Sequence, residues 1–352
     1  MVDPSTDKEL ITVVSPAARL HGLLLLTAGF VERPDRLTGL RAALAGGRLA
    51  EVAAGIAEIL DRNRVPLSGE DLDVLAGLAP DAREVARLRT APAASMPPTR
   101  WMFGPALRDP ALFGDRMPPA LDLTGPDAWA AASADDADRA AIATVSALPG
   151  ARALWRAWRI GPDEPEPSVR VFLLEADVPP DALPALAART PAEVFTAGTT
   201  LPPYQRLARQ SSTLLWTDQE LPGVRTARLF DRVDPARGPV FDDAHPRIAD
   251  RTALLSYLDA GAPLLLTAQL MADVTDPSPG AVVPMSYRTD GAWIWPDGVA
   301  YYLRVHGLAP DPELTAHIAA RSFAPPVVDA AGFHRAYAEL MRPRTAAPAW
   351  SL

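Results

Sequence analysis

Residues 282–306 read VVPMSYRTDGAWIWPDGVAYYLRVH and hold two of the eight Trp and three of the six Tyr in the chain. The Asp-Gly dipeptide at 290–291 favours a two-residue type I′ turn between antiparallel strands. Pro296 suits the first turn of a helix, and Gly307 suits a helix end. The stretch therefore predicts a β-hairpin followed directly by a helix over 297–306.

The predicted turn determines which hairpin residues face each other. It pairs Arg288 with Trp293 and Ser286 with Trp295, and because side chains alternate along strands, these four lie on one face. Arg288 is then in range of a cation–π contact with Trp293, worth about 0.5–2 kcal/mol. The opposite face, which carries Ile294, is the expected contribution to the core.

We call the face that carries Trp293 and Trp295 the Trp face. The helix after the hairpin can cover it, because helical spacing places Tyr302 and His306 on the same stripe as Trp295. Two interpretations of this aromatic surface are open. In the first, Trp293 and Trp295 pack against the helix as the core of a small domain, which is the commoner role of large aromatic side chains. In the second, they line a binding groove in which Arg288, Tyr302 and His306 are the polar groups.

The same stretch carries a longer pattern. D-G-x-W-x-W-P at 290–296 is followed by Ala-Tyr-Tyr-Leu at 300–303 and by P-x-P-E-L-x-x-H at 310–317. This pattern resembles a small module of uncharacterised bacterial proteins to which no activity is attached. The resemblance covers this part of the chain alone and implies that residues 282–320 fold as one unit. It implies no function.

A second candidate group lies in the segment 230–245, the most polar cluster in the chain. Asp242, Asp243 and His245 are residue types that bind hard metal ions or act as general acids and bases. Their spacing matches no established metal motif, and Asp beside Pro or Gly is typical of turns. The sequence therefore predicts no metal site and no cofactor, while the three side chains stay candidates for binding.

Arg156, in the segment 152–160, precedes the run Ser-Ser-Thr at 211–213. This order is similar to that of NAD-dependent ADP-ribosyltransferases, which carry an Arg on an early strand and a Ser-Thr-Ser strand later. The acidic pair that this family carries next is absent after Thr213, so the resemblance implies no transferase activity. Segment 152–160 is predicted as a strand, although a helix with its Arg side chains on one side also fits the pattern.

Hydrophobic periodicity divides the chain into three regions. Residues 1–90 form a helical N-terminal region of four short helices. Residues 91–149 form a Pro-rich but ordered connector and a helix. Residues 150–352 form a domain of intermixed strands and helices that contains the hairpin-helix aromatic module at 282–306. The predicted fold is α+β, with an N-terminal helical layer, a mixed and largely antiparallel sheet and C-terminal helices.

Local patterns also predict individual elements. Ser68 is a candidate N-cap ahead of an acidic helical turn. The segment 92–126 is expected to contain neither helix nor central strand, since Pro fixes φ and lacks an N–H; its large apolar side chains predict packing across a domain surface. Strands are predicted over 169–174, 212–217, 224–230 and 263–267, and helices over 128–148, 181–188, 203–210, 250–259, 311–321 and 330–340.

The composition limits the classes of function. A net charge of −9 argues against a general affinity for nucleic acid or anionic lipid, which both need a basic surface. The absence of Cys excludes disulfides, thiolate nucleophiles and Cys-ligated metal sites. The apolar run at 23–30 is too short to span a bilayer, and the acidic residues before it are unlike a signal peptide. We therefore expect a soluble, cytoplasmic protein with no membrane or nucleic-acid partner.

No G-x-S-x-G elbow, Walker A loop or dinucleotide fingerprint occurs in the sequence. The favoured hypothesis is a binding or accessory protein of an immunity or regulatory type that acts through protein–protein contact. The alternative is an enzyme that acts on a small organic molecule in an aromatic-lined pocket. A deep pocket shared by the 286–306 face and the 231–245 loop would favour the enzyme. A Trp face filled by the following helix would remove its main support.

Overall fold

The computed structural model describes residues 14–32, 34–90, 95–107, 109–114, 116–125, 130–161, 168–236 and 238–343. Helices form both ends of this part of the chain and mixed sheets lie between them, so the fold is α+β, as predicted. Backbone contacts divide the chain into two compact units. The first is Met1–Met102, Ala143–Arg152 and Arg159–Arg209; the second is Phe103–Ile142, Ala153–Trp158 and Gln210–Leu352. The domain boundaries drawn from the sequence stay predictions.

Helices dominate the N-terminal part of the described chain, and strands and helices are intermixed after it. The helices are α1 Pro16–Ala28, α2 Pro34–Ala45, α3 Leu49–Arg62, α4 Gly69–Leu78, α5 Arg83–Thr90, α6 Pro110–Phe113, α7 Asp136–Ser146, α8 Leu183–Ala187, α9 Pro203–Gln210, α10 Thr252–Ala260, α11 Asp297–His306, α12 Pro312–Ala320 and α13 Ala330–Leu340. The strands are β1 Met102–Gly104, β2 Leu121–Asp122, β3 Ala151–Ile160, β4 Val169–Ala176, β5 Glu193–Thr196, β6 Thr213–Thr217, β7 Arg225–Thr226, β8 Arg232–Asp234, β9 Gly238–Val240, β10 Ala262–Leu265, β11 Leu270–Ala272, β12 Ala281–Pro284, β13 Tyr287–Thr289 and β14 Trp293–Pro296.

The N-terminal region of the first unit is helical, as predicted, but its described residues form five helices instead of four. Pro80, which cannot continue a helix, separates α4 from α5. Ser68 caps α4 as predicted, because its Oγ accepts a hydrogen bond from the backbone N–H of Asp71 over 3.1 Å. The same unit holds β4 and β5 as a parallel pair joined through α8.

The connector region differs from its prediction in two places. A short helix, α6, forms within the Pro-rich segment because Asp109 Oδ1 accepts hydrogen bonds from the N–H groups of Ala111 and Leu112. Helix α7 begins at Asp136, later than predicted, because Asp135 Oδ1 accepts from the N–H groups of its first turn. The first part of the predicted helix, 128–129, lies outside the described residues.

In the second unit, β2, β6 and residues 153–158 of β3 form a mixed sheet, in which β2 runs parallel and β3 antiparallel to β6. The strand prediction for 152–160 is therefore confirmed. A four-stranded sheet in the order β10-β13-β14-β7 holds the aromatic hairpin. Helix α13 packs against strands of both sheets, namely β2, β6, β10 and β14.

Strand β7 is much shorter than the predicted strand over 224–230. It pairs with β14 through Arg225 and Thr226, and the N–H of Ala227 makes the last bond to it, with the carbonyl oxygen of Ile294 over 2.8 Å. Beyond it, the backbone N–H of Arg228 donates to the carboxylate of Asp311 over 3.2 Å instead of to a neighbouring strand. The chain leaves the sheet at this point because a side chain satisfies its backbone donor.

The aromatic hairpin has a longer turn than predicted. Arg288 faces Trp295 instead of Trp293, so the turn spans four residues, 290–293. Asp290 causes the difference, because its Oδ1 accepts hydrogen bonds from the backbone N–H groups of Ala292 and Trp293 and folds the chain around the carboxylate. Each cross-strand partner is displaced by two residues, one full period of a strand, so the predicted faces are kept.

Candidate functional site

The Trp face of the hairpin is filled by helices. Trp293 and Trp295 are buried and pack with side chains of α10, α11 and α12, among them Leu258 and Leu303. The Trp295 indole N–H donates to the carbonyl oxygen of Leu258 over 3.3 Å. A Cβ atom at Gly261 would lie 2.3 Å from the Trp295 ring, so glycine is required beside it. Both Trp side chains are therefore core residues.

Arg288 is held at the edge of this core. Its Nε donates to Asp297 over 2.8 Å, and its Nη1 donates to two backbone carbonyl oxygens near the end of α10. The predicted cation–π contact with Trp293 is wrong, because the guanidinium that lies over that ring, 5.6 Å from its centre, belongs to Arg225. The longer turn explains the difference, since it moves Arg288 away from Trp293 and opposite Trp295.

Asp290 organises one end of the same core. Its Oδ2 accepts hydrogen bonds from the Tyr257 hydroxyl and from His317 Nε2, both over 2.6 Å. Its Oδ1 accepts from the N–H groups of the two turn residues Ala292 and Trp293, so the buried carboxylate has four hydrogen-bond donors in all. Asp290 and His317 are the first and last residues of the pattern at 290–317, so this contact ties its two ends together.

The donors around Asp290 control its ionisation. Burial opposes the charged form, but the hydrogen bonds from Tyr257, Trp293, Ala292 and His317 outweigh it and lower the pKa of the carboxyl below its usual value. Burial and the neighbouring carboxylate raise the pKa of the Tyr257 hydroxyl, which therefore stays a donor. The buried, charged carboxylate of Asp290 therefore connects the hairpin turn to α10 and α12.

A second aromatic group surrounds Tyr302. The rings of Phe241 and Phe230 approach the Tyr302 ring edge-on, with centroids 4.8 Å and 5.9 Å away, and the His306 ring lies at 5.9 Å. The Tyr302 hydroxyl accepts a hydrogen bond from the backbone N–H of Val274 over 3.1 Å. Burial raises the pKa of this hydroxyl to about 12. We call Phe230, Phe241, Tyr302 and His306 the Tyr302 cluster.

Asp273 lies beside this cluster and accepts from two titratable side chains. Its Oδ2 contacts His306 Nε2 at 2.6 Å and accepts from the Tyr301 hydroxyl at 3.0 Å. Burial opposes its ionisation, but these bonds and the backbone N–H groups of Thr275 and Asp276 prevail and lower its pKa. The carboxylate is buried, whereas the His306 side chain is 16% exposed. The pair could act as a general base with its imidazole towards solvent.

Of the second group predicted from the sequence, Asp242, Asp243 and His245, one side chain packs against the Tyr302 cluster. His245 packs against Phe241 with ring centroids 5.0 Å apart. Asp242 instead forms an exposed ion pair with Arg232 over 2.7 Å, and Asp243 is exposed. The structure thus brings together Tyr302, His306 and His245. Arg288, Trp293 and Trp295 belong to the other core cluster.

Sequence reasoning missed the acidic partners of these histidines. Asp273, Asp290 and Asp231 each contact a histidine, and each lies far from it along the chain. The spacing signals used for motifs act over a few residues, so they could not pair these groups. The other two histidines, His21 and His334, are buried and contact strand carbonyl oxygens.

An exposed apolar surface lies at the other end of the aromatic stretch. Leu265, Leu266, Leu270 and Met285 are 37%, 71%, 50% and 39% exposed. Strand register places Leu265 opposite Tyr287 and Leu270 opposite Pro284. Ser286 Oγ fixes the intervening loop, because it accepts from the N–H of Thr267 and donates to its carbonyl oxygen. We call the four exposed residues the leucine patch.

Within the described residues, no group of three or more His, Asp or Glu side chains is arranged to hold a metal ion. No helix in that part of the chain is long and apolar enough to cross a membrane. Comparison with protein-family models, curated proteins and solved structures finds no match.

Proposed function

We propose that the protein is a cytoplasmic binding or accessory protein that acts through protein–protein contact at the leucine patch. The observation that carries this proposal is the exposure of Leu266 and Leu270 beside Met285. Single apolar residues are common on protein surfaces, but several exposed ones on paired strands and the loop between them are typical of interaction sites. The packed Trp face supports this function over an enzyme, because the groove that an enzyme would need there is filled.

The distribution of charge around the leucine patch indicates which kind of surface its partner presents. Neither 260–272 nor 277–287 contains a charged residue, although the whole chain carries a net charge of −9. A second copy would meet the same negative field, which opposes self-association. The proposed partner is therefore a different protein that presents an uncharged apolar surface, and its binding should depend little on salt.

The patch can be tested with two leucines of equal exposure. Leu270 lies in the patch and Leu107 lies outside it, and both are 50% exposed. A photo-crosslinking amino acid at 270 should give a discrete protein adduct in cells, whereas the same group at 107 should not. With the captured partner purified, Leu270→Asp should weaken binding at least tenfold, about 1.4 kcal/mol, and Leu107→Asp should leave it unchanged. Equal binding of the two variants would refute the proposal.

A specific observation favours an enzyme as the second candidate. Asp273, His306 and Tyr301 combine a buried carboxylate, a partly exposed imidazole and a phenol beside the aromatic rings of the Tyr302 cluster. Such groups are suited to proton transfer on a small organic molecule. The histidine at 317 forms a similar pair with Asp290 and provides a matched control.

For this candidate we expect a ligand effect that depends on His306. In a thermal-shift screen of small organic molecules, a true ligand should raise the Tm of the wild type and of His317→Gln, but not of His306→Gln. The comparison is made within each variant, with and without compound, so that different starting stabilities do not matter. A screen in which every active compound acts equally on His306→Gln would rule out this site.

A further inference from the structure

The leucine patch lies on a two-stranded ribbon whose strands are unequal in length. β10 pairs with β13 as far as Leu265, and β11 pairs with β12 from Leu270 onwards. Between these pairs, one strand has the four residues 266–269, whereas the opposite strand has only 285 and 286. Two residues are therefore extra, and a strand that carries extra residues bends out of the ladder. We call residues 266–269, all of which are exposed, the bulge loop.

A buried serine holds the bulge loop in place. Ser286 Oγ accepts a hydrogen bond from the backbone N–H of Thr267 over 3.1 Å and donates to the carbonyl oxygen of the same residue over 3.2 Å. Thr267 Oγ1 in turn accepts from the backbone N–H of Gln269 over 3.1 Å. Because these bonds order the loop before any partner is present, little conformational entropy is left to lose on binding.

Leu266 is the most exposed side chain of the leucine patch. It is 71% exposed, whereas the other three members, Leu265, Leu270 and Met285, are between 37% and 50% exposed. A flat partner surface that touches Leu266 would stand away from these three and leave a gap filled with water. A surface with a cavity for Leu266 could cover all four at once, and well-packed, fully desolvated side chains contribute most to binding.

Addition of a partner strand to β10 is a different way to bind at this place, and the backbone opposes it. Within the described residues β10 is the end strand of its sheet, so its outer edge faces no other strand. Pro263 offers no N–H, however, and the register shifts at Leu264. The bulge loop follows directly after Leu265. An interrupted edge of this kind is typical of strands protected from pairing, so recognition depends on side chains.

We propose that Leu266 is an anchor that inserts into an apolar pocket of the protein partner, with the bulge loop already formed to present it. This inference rests on the protein–protein contact proposed above and specifies its mode: this chain supplies the projection and the partner supplies the cavity. The pocket is the size of a leucine side chain. Its rim is uncharged, because no charged residue occurs in 260–272 or 277–287 and a charged rim would lose its water without gaining a counter-charge.

A probe with an apolar cavity tests the projection without the partner. β-Cyclodextrin is a ring of sugars whose interior can take up an apolar side chain. In the full-length chain, its addition should shift the methyl NMR signals of Leu266 more than those of Leu107, which is 50% exposed outside the patch. Glucose, which has no cavity, should shift neither. A Leu266 shift that is no larger than that of Leu107, or that glucose reproduces, would overturn the projection.

Ser286→Ala tests whether the serine holds the loop. Ser286 is buried, so the substitution removes no contact surface. The N–H of Thr267 should exchange with solvent about tenfold faster, as expected for one lost hydrogen bond. The N–H of Asp297, which donates to the backbone carbonyl oxygen of Ser286, should keep its protection. Binding of the partner captured through residue 270 should weaken about tenfold, because the loop must then be ordered on binding. Unchanged protection at Thr267, or unchanged binding, would contradict a pre-formed loop.

Three substitutions at Leu266 test the pocket with the same captured partner. Leu266→Ala should weaken binding about tenfold, and Leu266→Met should keep it within about threefold. Leu266→Trp should weaken binding about tenfold, because the indole exceeds a leucine-sized pocket. A flat contact surface would instead gain from the larger ring, so tighter binding of Leu266→Trp would overturn the anchor. All three substitutions are at an exposed position and should leave Tm unchanged.

The anchor and the protein–protein contact fail in different ways. If residue 270 captures no partner, or if Leu270→Asp leaves binding unchanged, the contact itself is refuted and the anchor with it. If Leu270→Asp weakens binding but Leu266→Ala does not, the contact stands and the anchor alone is refuted.

Discussion

Trp295→Ala is expected to lower the free energy of unfolding by about 3–5 kcal/mol, the range for removing a large aromatic side chain from a core. The Trp295 side chain is fully buried between the hairpin and α10. Its removal leaves a cavity beside Gly261, where the backbone lies against the ring and limits collapse. Urea unfolding, followed by circular dichroism, measures the loss.

Trp216→Ala is the matched control for this prediction. Trp216 lies on β6 and is partly exposed, so the same substitution should cost clearly less than at Trp295. If Trp295→Ala instead unfolds at the wild-type urea concentration while binding of a partner is lost, the Trp face is a binding surface. The interpretation of this face as core would then be wrong.

Asp290→Asn is expected to destabilise the protein by about 3–5 kcal/mol near pH 7, as for a buried charged group that loses its role as acceptor. The amide of Asn places an N–H₂ group towards the Tyr257 hydroxyl and His317 or towards the turn amides. Either orientation leaves buried donors facing donors. Asp259→Asn, in the exposed ion pair with Arg304, should cost less than about 1 kcal/mol.

The pH dependence of the unfolding free energy, compared between the wild type and Asp290→Asn, supplies a second measurement. The pKa of Asp290 is lower in the folded protein than in the unfolded chain. Its stabilisation is therefore present above the ordinary Asp value of about 3.9 and is lost as pH falls through the folded value. The difference in unfolding free energy between the wild type and Asp290→Asn should shrink below about pH 4. A constant difference down to about pH 2 would contradict a charged Asp290.

Several features of the fold could be predicted because their causes are local. Ser68 caps α4 through an amide three residues away, and Pro296 and Gly307 delimit α11. The strand over 152–160 was predicted although its pattern also fitted a helix, and β3 confirms the strand. The N-terminal region has five helices instead of four, and Pro80, which cannot continue a helix, separates the last two of them.

The candidate site could be predicted only in part. Tyr302, His306 and His245 meet in one cluster, although the sequence placed them in two separate groups. The pairing of these histidines with the carboxylates of Asp273 and Asp231 gave no signal, because contacts between distant residues leave no periodic trace in one sequence. The leucine patch was missed for a different reason: apolar residues on strands are expected to be buried, and exposure is a property of the packed molecule.

By itself, the sequence determined the α+β class, the hairpin followed by a helix, and the two faces of that hairpin, since period, Pro and Gly act through the backbone of neighbouring residues. The tertiary structure alone decided the length of the turn and the role of the aromatic face. Asp290 folds the turn because His317 and Tyr257, brought from other helices, complete the shell of its buried carboxylate. The helices that bring these donors also fill the space in front of Trp293 and Trp295, so the Trp face of the hairpin is core and not a groove.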